Sequence, residues 1–292
     1  MKELNSLLTI IVPTFNQGKY IEDCLTSILT QTYQNIEVII QDALSTDNTE
    51  EICQKIVKSD SRIKYFREKD TGQSDALNKG LNRATGYYWT WLCSDDRYND
   101  KNALNGLIKR FSELSDEEFA RTAGVYGDAF YVNENGNFIA GYGNANRELS
   151  LKDFKTDWPL AQPSLILKTE MVVKAGGVDA SLYLGMDLDL FVKILKHDVC
   201  FKYVAVPVVD IRIQDNSKSV KFREATAVNA LKLVNKHFGN IGTRNESAFI
   251  RELEASVGRK KALKHLIKIH KLDFFRYFIT SFAKFITEAK QI

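Results

Sequence analysis

The chain has few cysteines and no apolar run of spanning length. Its net charge is small, and the glycine-rich phosphate loops are missing. The four cysteines, Cys24, Cys53, Cys93 and Cys200, have no paired spacing. That argues against a disulfide framework or a zinc site and fits a reducing compartment. The apolar run Leu7–Val12 stops at Pro13 with no small-residue cleavage site after it. It is too short for a secretion signal or a bilayer span, so a cytoplasmic location is expected. A formal charge of +3 over 292 residues does not by itself imply nucleic acid, and no recognition motif accompanies the basic residues. Neither G-x-G-x-x-G nor a P-loop follows the first apolar strand, which argues against a dinucleotide dehydrogenase and a P-loop NTPase.

Hydrophobic residues make up 44% of the sequence, enough for a substantial core in one or two domains. Strand-like runs at Leu8–Val12, Glu37–Ile40 and Ile63–Phe66 alternate with helical periodicity, as in Ile21, Cys24, Leu25, Ile28 and Leu29. Such alternation predicts βαβ units, a mostly parallel sheet and right-handed crossovers. The stretch Trp89-Thr90-Trp91-Leu92-Cys93-Ser94-Asp95-Asp96 reads as a buried strand running into two carboxylates. Ligands of open parallel sheets gather at that end of the strands. Paired acids there suit a hard divalent cation, itself most useful when a substrate carries phosphates. Turn formation explains Ser-Asp-Asp equally well on local grounds.

Further along, a helix is expected over Asn102–Leu114 and a strand over Gly124–Phe130, with a hairpin turning at Asn135-Gly136. A strand at Ser164–Leu167 and a short helix at Thr169–Lys174 follow, and Asp187 and Asp189 open an amphipathic helix. Acids in a first helical turn also have an ordinary explanation in the helix dipole. Val204–Ile213 is read as the last strand, residues 214–219 as a polar loop and Phe222–Phe238 as a helix. The segment 259–292 is basic and carries Phe274, Phe278, Phe282 and Phe285 on one helical face. It reads either as a membrane-surface anchor or as a helix packed on the protein.

Taken in order, Ile11-Val12-Pro13-Thr14-Phe15-Asn16, Asp42…Ser45-Thr46-Asp47 and Asp70-x-Gly72-x-x-Asp75-Ala76-x-Asn78-x-Gly80 resemble motifs of the family 2 inverting glycosyltransferases. Ser94-Asp95-Asp96, Gly176-Gly177-Val178-Asp179, Met186-Asp187-Leu188-Asp189-Leu190 and Arg212…Ser217-Lys218-Ser219 continue the resemblance. It covers residues from about 7 to about 220, and it is nearest to bacterial enzymes that build O-antigen, capsule and exopolysaccharide. The resemblance implies the α/β GT-A fold over residues 1–220, with 221–292 as a basic, amphipathic helical extension. It implies a nucleotide-sugar donor, UDP-linked, held by Pro13, Thr14, Asp42, Asp75, Asn78 and Asp95. It further implies one Mg²⁺ or Mn²⁺ ion on Asp96 and Asp95, with Asp187 as general base. The acceptor would be a saccharide, such as a polyprenyl-diphosphate-linked oligosaccharide at the inner face of the plasma membrane. Three departures stand out. Cys93 replaces an Asp or Asn, Ala43-Leu44 replaces a glycine-containing pair, and Gln214 replaces a His. They leave open a catalytically impaired relative that binds or scaffolds. A nucleotidyltransferase is a further rival, distinguished by releasing pyrophosphate.

Overall fold

A computed structural model describes residues 6–214, 217–239 and 247–269. Four strands, β1 (Leu8–Thr14), β2 (Ile36–Asp42), β3 (Ile63–Arg67) and β4 (Tyr88–Trp91), pair in parallel in the order β3-β2-β1-β4. Every residue of β1 and β2 is buried. Their unbroken apolar runs are what a strand covered on both faces requires. The crossovers are the helices α1 (Ile21–Leu29), α2 (Thr49–Ser59) and α3 (Gln73–Arg83). Ile21, Cys24, Leu25 and Ile28 form the buried face of α1, at the spacing the sequence predicts.

Beyond β4 come β5 (Arg97–Tyr98), α4 (Ala103–Glu113), α5 (Asp116–Arg121), β6 (Thr122–Val132) and β7 (Phe138–Gly141). The β6–β7 hairpin turns where expected, with Gly136 at φ +82° and the Asn133 side chain accepting the amides of Asn135 and Asn137. Then follow β8 (Leu165–Lys168), α6 (Thr169–Lys174), α7 (Met186–Leu195) and β9 (Cys200–Arg212). The sheet continues β4-β8-β6-β9-β5. Parallel pairing carries most of the ladder, but β8 lies antiparallel to both β4 and β6. A short apolar run such as Leu165-Ile166-Leu167 is the same in either direction, so the sequence pattern does not reveal this reversal.

The chain divides into two compact units. One comprises the described residues up to Leu151 together with Pro159–Ser217, and it contains the sheet. The other comprises Lys152–Trp158 and the described residues from Lys218 onward. It holds α8 (Lys218–Lys221), α9 (Arg223–Phe238), α10 (Ala248–Val257) and α11 (Arg259–Ile269), and the last three pack pairwise. Lys261 and His265 of α11 both meet Glu224 of α9, at 2.8 and 2.9 Å. The loop expected over 214–219 gives way to α8 at Lys218, and residues 215 and 216 lie outside the described residues. So does the aromatic face Phe274, Phe278, Phe282 and Phe285.

Glu37, an unremarkable strand residue in the sequence, fastens the N-terminal half of the sheet. It is 6% exposed, and its Oε1 accepts the hydroxyls of Thr9 and Thr85 (2.7 and 2.8 Å) and the Thr85 amide (2.6 Å). Burial works against the charged form, yet these donors and Lys64 outweigh it and hold the carboxyl below its usual range. Hydrogen bonds to a charged acceptor contribute more than neutral ones, so Glu37→Gln should cost about 2 kcal/mol in urea unfolding at neutral pH. A folded pKa below the unfolded value means the contribution is present above the ordinary glutamate value of 4.5. It is lost as the pH falls through the lower folded value, so the gap between wild type and variant should close there. A gap that stays constant with pH would assign the cost to packing rather than charge.

Candidate active site

The C-terminal ends of β1, β2 and β4 lie side by side. Thr14 is the register partner of Asp42, and Leu92, just after β4, donates its amide to Ile11 of β1 at 3.0 Å. Pro13 and Thr14 are buried within β1. Thr14 is 5% exposed, and its Oγ1 is a buried hydroxyl with no hydrogen-bond partner among the described residues. Such an orphan is costly, and it stands out at this strand end. Asp42 is fully buried and well occupied. Its Oδ1 accepts the Ser45 amide (2.9 Å) and hydroxyl (2.6 Å), and its Oδ2 accepts the Tyr65 hydroxyl at 2.5 Å. Asp42 therefore sets the shape of the 42–45 turn, in which Leu44 takes φ +62° and stays 37% exposed. Across from it, Asn16 at φ +52° accepts the Thr46 amide through Oδ1 and donates its own amide to the Ser45 hydroxyl. The two loops are locked together.

The acid pair occupies a turn closed by the Asp96 amide on the Cys93 carbonyl at 2.9 Å. Asp96 is 7% exposed, and its Oδ1 accepts the Arg212 amide at 2.9 Å. Burial, followed by the neighbouring Asp95 charge, pushes its carboxyl well above the usual range. Asp95 is half-buried, and its Oδ2 accepts the Gln214 side-chain amide at 2.9 Å. Arg212 holds this turn from behind. Its Nε donates to the Asp95 carbonyl (2.8 Å), its Nη1 to the Glu134 carbonyl (2.7 Å) and its Nη2 to Asp23 (2.6 Å). One ligand atom each from Cys93, Asp95 and Asp96 lies within 4.8 Å of the others. That spacing is about two metal–ligand bonds, so the donor set fits one divalent ion.

The first turn of α3 links this turn to the Asp187 region. Gln73 Nε2 reaches the Cys93 sulfur at 3.3 Å. The next residue, buried Ser74, donates its hydroxyl to the Leu182 carbonyl (2.6 Å) and lies 3.1 Å from the Met186 sulfur. Asp187 follows Met186 in the first turn of α7, entered through Gly185 at φ +76°. Asp189, two residues on, is fully buried and paired with Lys193 at 2.6 Å, which makes it structural.

Two residues expected at the nucleotide are engaged elsewhere. Asn78 donates to the Val178 carbonyl (2.7 Å) and accepts the Val178 amide (2.9 Å). It braces the Gly176-Gly177 turn, where a Cβ on Gly177 (φ +71°) would stand 2.8 Å from the Asn78 oxygen. Asp75 Oδ2 accepts the Thr71 amide at 3.0 Å and lies 3.5 Å from Lys79. Arg212 belongs to the site as built and stands in the motif order, whereas Gln73 and Ser74 join it through long-range contacts that no local pattern marks.

Comparison with known proteins fits this geometry. A relative in Campylobacter jejuni, "GalNAc(5)-diNAcBac-PP-undecaprenol beta-1,3-glucosyltransferase", is 30% identical over 162 residues, covering 55% of this chain and 47% of the relative. The chain spans 58%, 19% and 47% of the length of three curated relatives it matches. Among solved structures, Staphylococcus aureus TarS 1–349 in complex with UDP-GlcNAc superposes with a TM-score of 0.60 at 18% identity, covering 91% of this chain and 74% of that one. The mannosyltransferase PcManGT from Pyrobaculum calidifontis, in complex with GDP-Man and Mn²⁺, gives 0.62 at 18%, covering 97% and 79%. These likenesses establish the GT-A fold. The model of the family "Glycosyl transferase family 2" matches residues 9–159, just over half of the sequence, and the chain belongs to that family.

Proposed function

We propose that the protein is an inverting glycosyltransferase that moves one sugar from a nucleotide-diphosphate donor, UDP-linked, to a saccharide acceptor. The observation that carries this reading is the first turn of α3, which touches the acid-pair turn through Gln73 and Cys93 and the α7 start bearing Asp187 through Ser74 and Met186. Asp187 would take the proton of the acceptor hydroxyl as that oxygen bonds to the anomeric carbon. The bond from that carbon to the diphosphate oxygen breaks on the opposite face, and nucleoside diphosphate leaves. Asp96 and Asp95 would hold a divalent Mg²⁺ or Mn²⁺, which supplies charge for the leaving diphosphate. Thr14, with the loop shaped by Asp42, would receive the nucleoside. The acceptor we assign is a polyprenyl-diphosphate-linked oligosaccharide of surface polysaccharide synthesis, by analogy with the Campylobacter relative. The same assignment puts the enzyme at the inner face of the membrane. Among the described residues no helix is long and apolar enough to cross a membrane, and the basic 259–292 segment is the contact we assign to the membrane surface.

Calorimetric titration with UDP, with and without Mn²⁺, tests the donor side. Binding should be strengthened by Mn²⁺, and Asp96→Ala should remove at least about tenfold of it, the effect of losing even an outer partner of a metal. UDP binding indifferent to both changes would sink the metal assignment, and GDP binding in place of UDP would change the donor. The hold of Gln214 on Asp95 favours one alternative, a relative that binds the donor without turning it over. Donor binding with no release of nucleoside diphosphate would select it.

A further inference from the structure

Cys93, a departure from the family pattern in the sequence, lies with the acids in the structure. Its sulfur and one oxygen each of Asp95 and Asp96 form the only group of three or more metal-capable side chains at ligand spacing among the described residues. Two further observations concern this group. Asp96 is 7% exposed, yet only its Oδ1 is hydrogen-bonded. Its Oδ2 accepts nothing from the described residues. That oxygen is not sealed from solvent, so a cation can take it as a ligand atom. The Cys93 sulfur, for its part, receives an N–H from Gln73 at 3.3 Å. Outer donors of this kind orient metal-ligating atoms and tune the metal.

We propose that Cys93 is the third protein ligand of the divalent ion, as a thiolate beside Asp95 and Asp96, and that it sets the metal preference. The inference rests on the metal site proposed above. On binding, the metal–sulfur bond forms, the S–H bond breaks and the proton passes to solvent. Oxygen-only donor sets suit Mg²⁺, whereas a thiolate selects softer or borderline ions. The site is therefore tuned toward Co²⁺ and Zn²⁺ over Mg²⁺. Replacement of the more usual acid or amide at this position changes the ligand type rather than removing a donor.

The test uses the full chain without nucleotide, titrated with Co²⁺ and followed by the near-ultraviolet thiolate-to-cobalt charge-transfer absorption. Cys24 and Cys53 are fully buried and Cys200 is 8% exposed, so a thiolate signal reports Cys93. The band should saturate with the metal and be absent in Cys93→Ser and in Asp96→Ala. Cys93→Ser should also lower the affinity for Zn²⁺ relative to Mg²⁺ by about tenfold or more, measured by competition calorimetry. Co²⁺ binding that depends on Asp96 but shows no band would overturn the thiolate ligand while leaving the acid-pair site standing. An unchanged metal preference in Cys93→Ser would do the same. Co²⁺ binding that survives Asp96→Ala, or no binding at all, would overturn both.

Discussion

Asp187→Asn is expected to lower turnover by about 10²–10⁴-fold, the usual contribution of a positioned general base. The substitution keeps the shape of the side chain, and the surrounding helix is firmly anchored. Met186, Leu188, Leu190 and Phe191 are buried, and the Met186 sulfur rests on Ser74. Folding and donor binding should therefore be unchanged, because the residues assigned to the nucleotide lie on β1, β2 and the 93–96 turn. Release of UDP from a UDP-sugar, to acceptor or to water, gives kcat, and calorimetry with UDP gives the donor affinity. A loss confined to kcat identifies an interaction made in the transition state, whereas a matched loss of UDP affinity would place Asp187 at the donor instead. A fall of less than about tenfold would end the general-base assignment.

The half of the fold that was legible in the sequence is the half built from local pattern. β1 and β2 are continuous apolar runs because helices cover both faces, and α1 shows its buried stripe at helical spacing. The Asn135-Gly136 turn carries its own backbone chemistry, so the hairpin was readable too. Strand direction was not. β8 sits antiparallel between β4 and β6, and nothing in four buried residues encodes that. The candidate site divides along the same line. Asp95, Asp96 and Asp187 stand where motif order puts them, at a strand end and a helix start. Asn78 belongs to the same motifs, but its amide is spent on Val178, a partner 100 positions away. Asp42 is bound by Ser45, three positions on, and by Tyr65, which only the β2–β3 pairing brings near. Glu37 and Gln73 act entirely through such distant partners.

Arg212→Ala should destabilise the sheet-containing unit by about 3 kcal/mol, the low end for breaking a buried ion pair. The guanidinium side chain is 4% exposed and spends its donors on the Asp95 carbonyl, the Glu134 carbonyl and Asp23. It also faces the Tyr20 ring at 5.0 Å. Truncation leaves two carbonyls short of a donor and removes the cation that lowers the Asp96 carboxyl against burial and the Asp95 charge. The Asp23 arm adds less, since that carboxylate is 45% exposed and solvent screens it. The Arg212 amide still reaches Asp96 in the variant, so the loss is of charge and bracing rather than of the turn itself. Arg212→Lys keeps the charge but not the planar fork, and its stability should fall between the two. Urea unfolding followed by tryptophan fluorescence reports this unit through Trp89 and Trp91, which lie in β4 just before the acid pair. A loss under about 1 kcal/mol would reduce Arg212 to the standing of a surface ion pair. A loss of the expected size, with the lysine variant between, would make Arg212 the residue that lets two adjacent carboxylates share one turn.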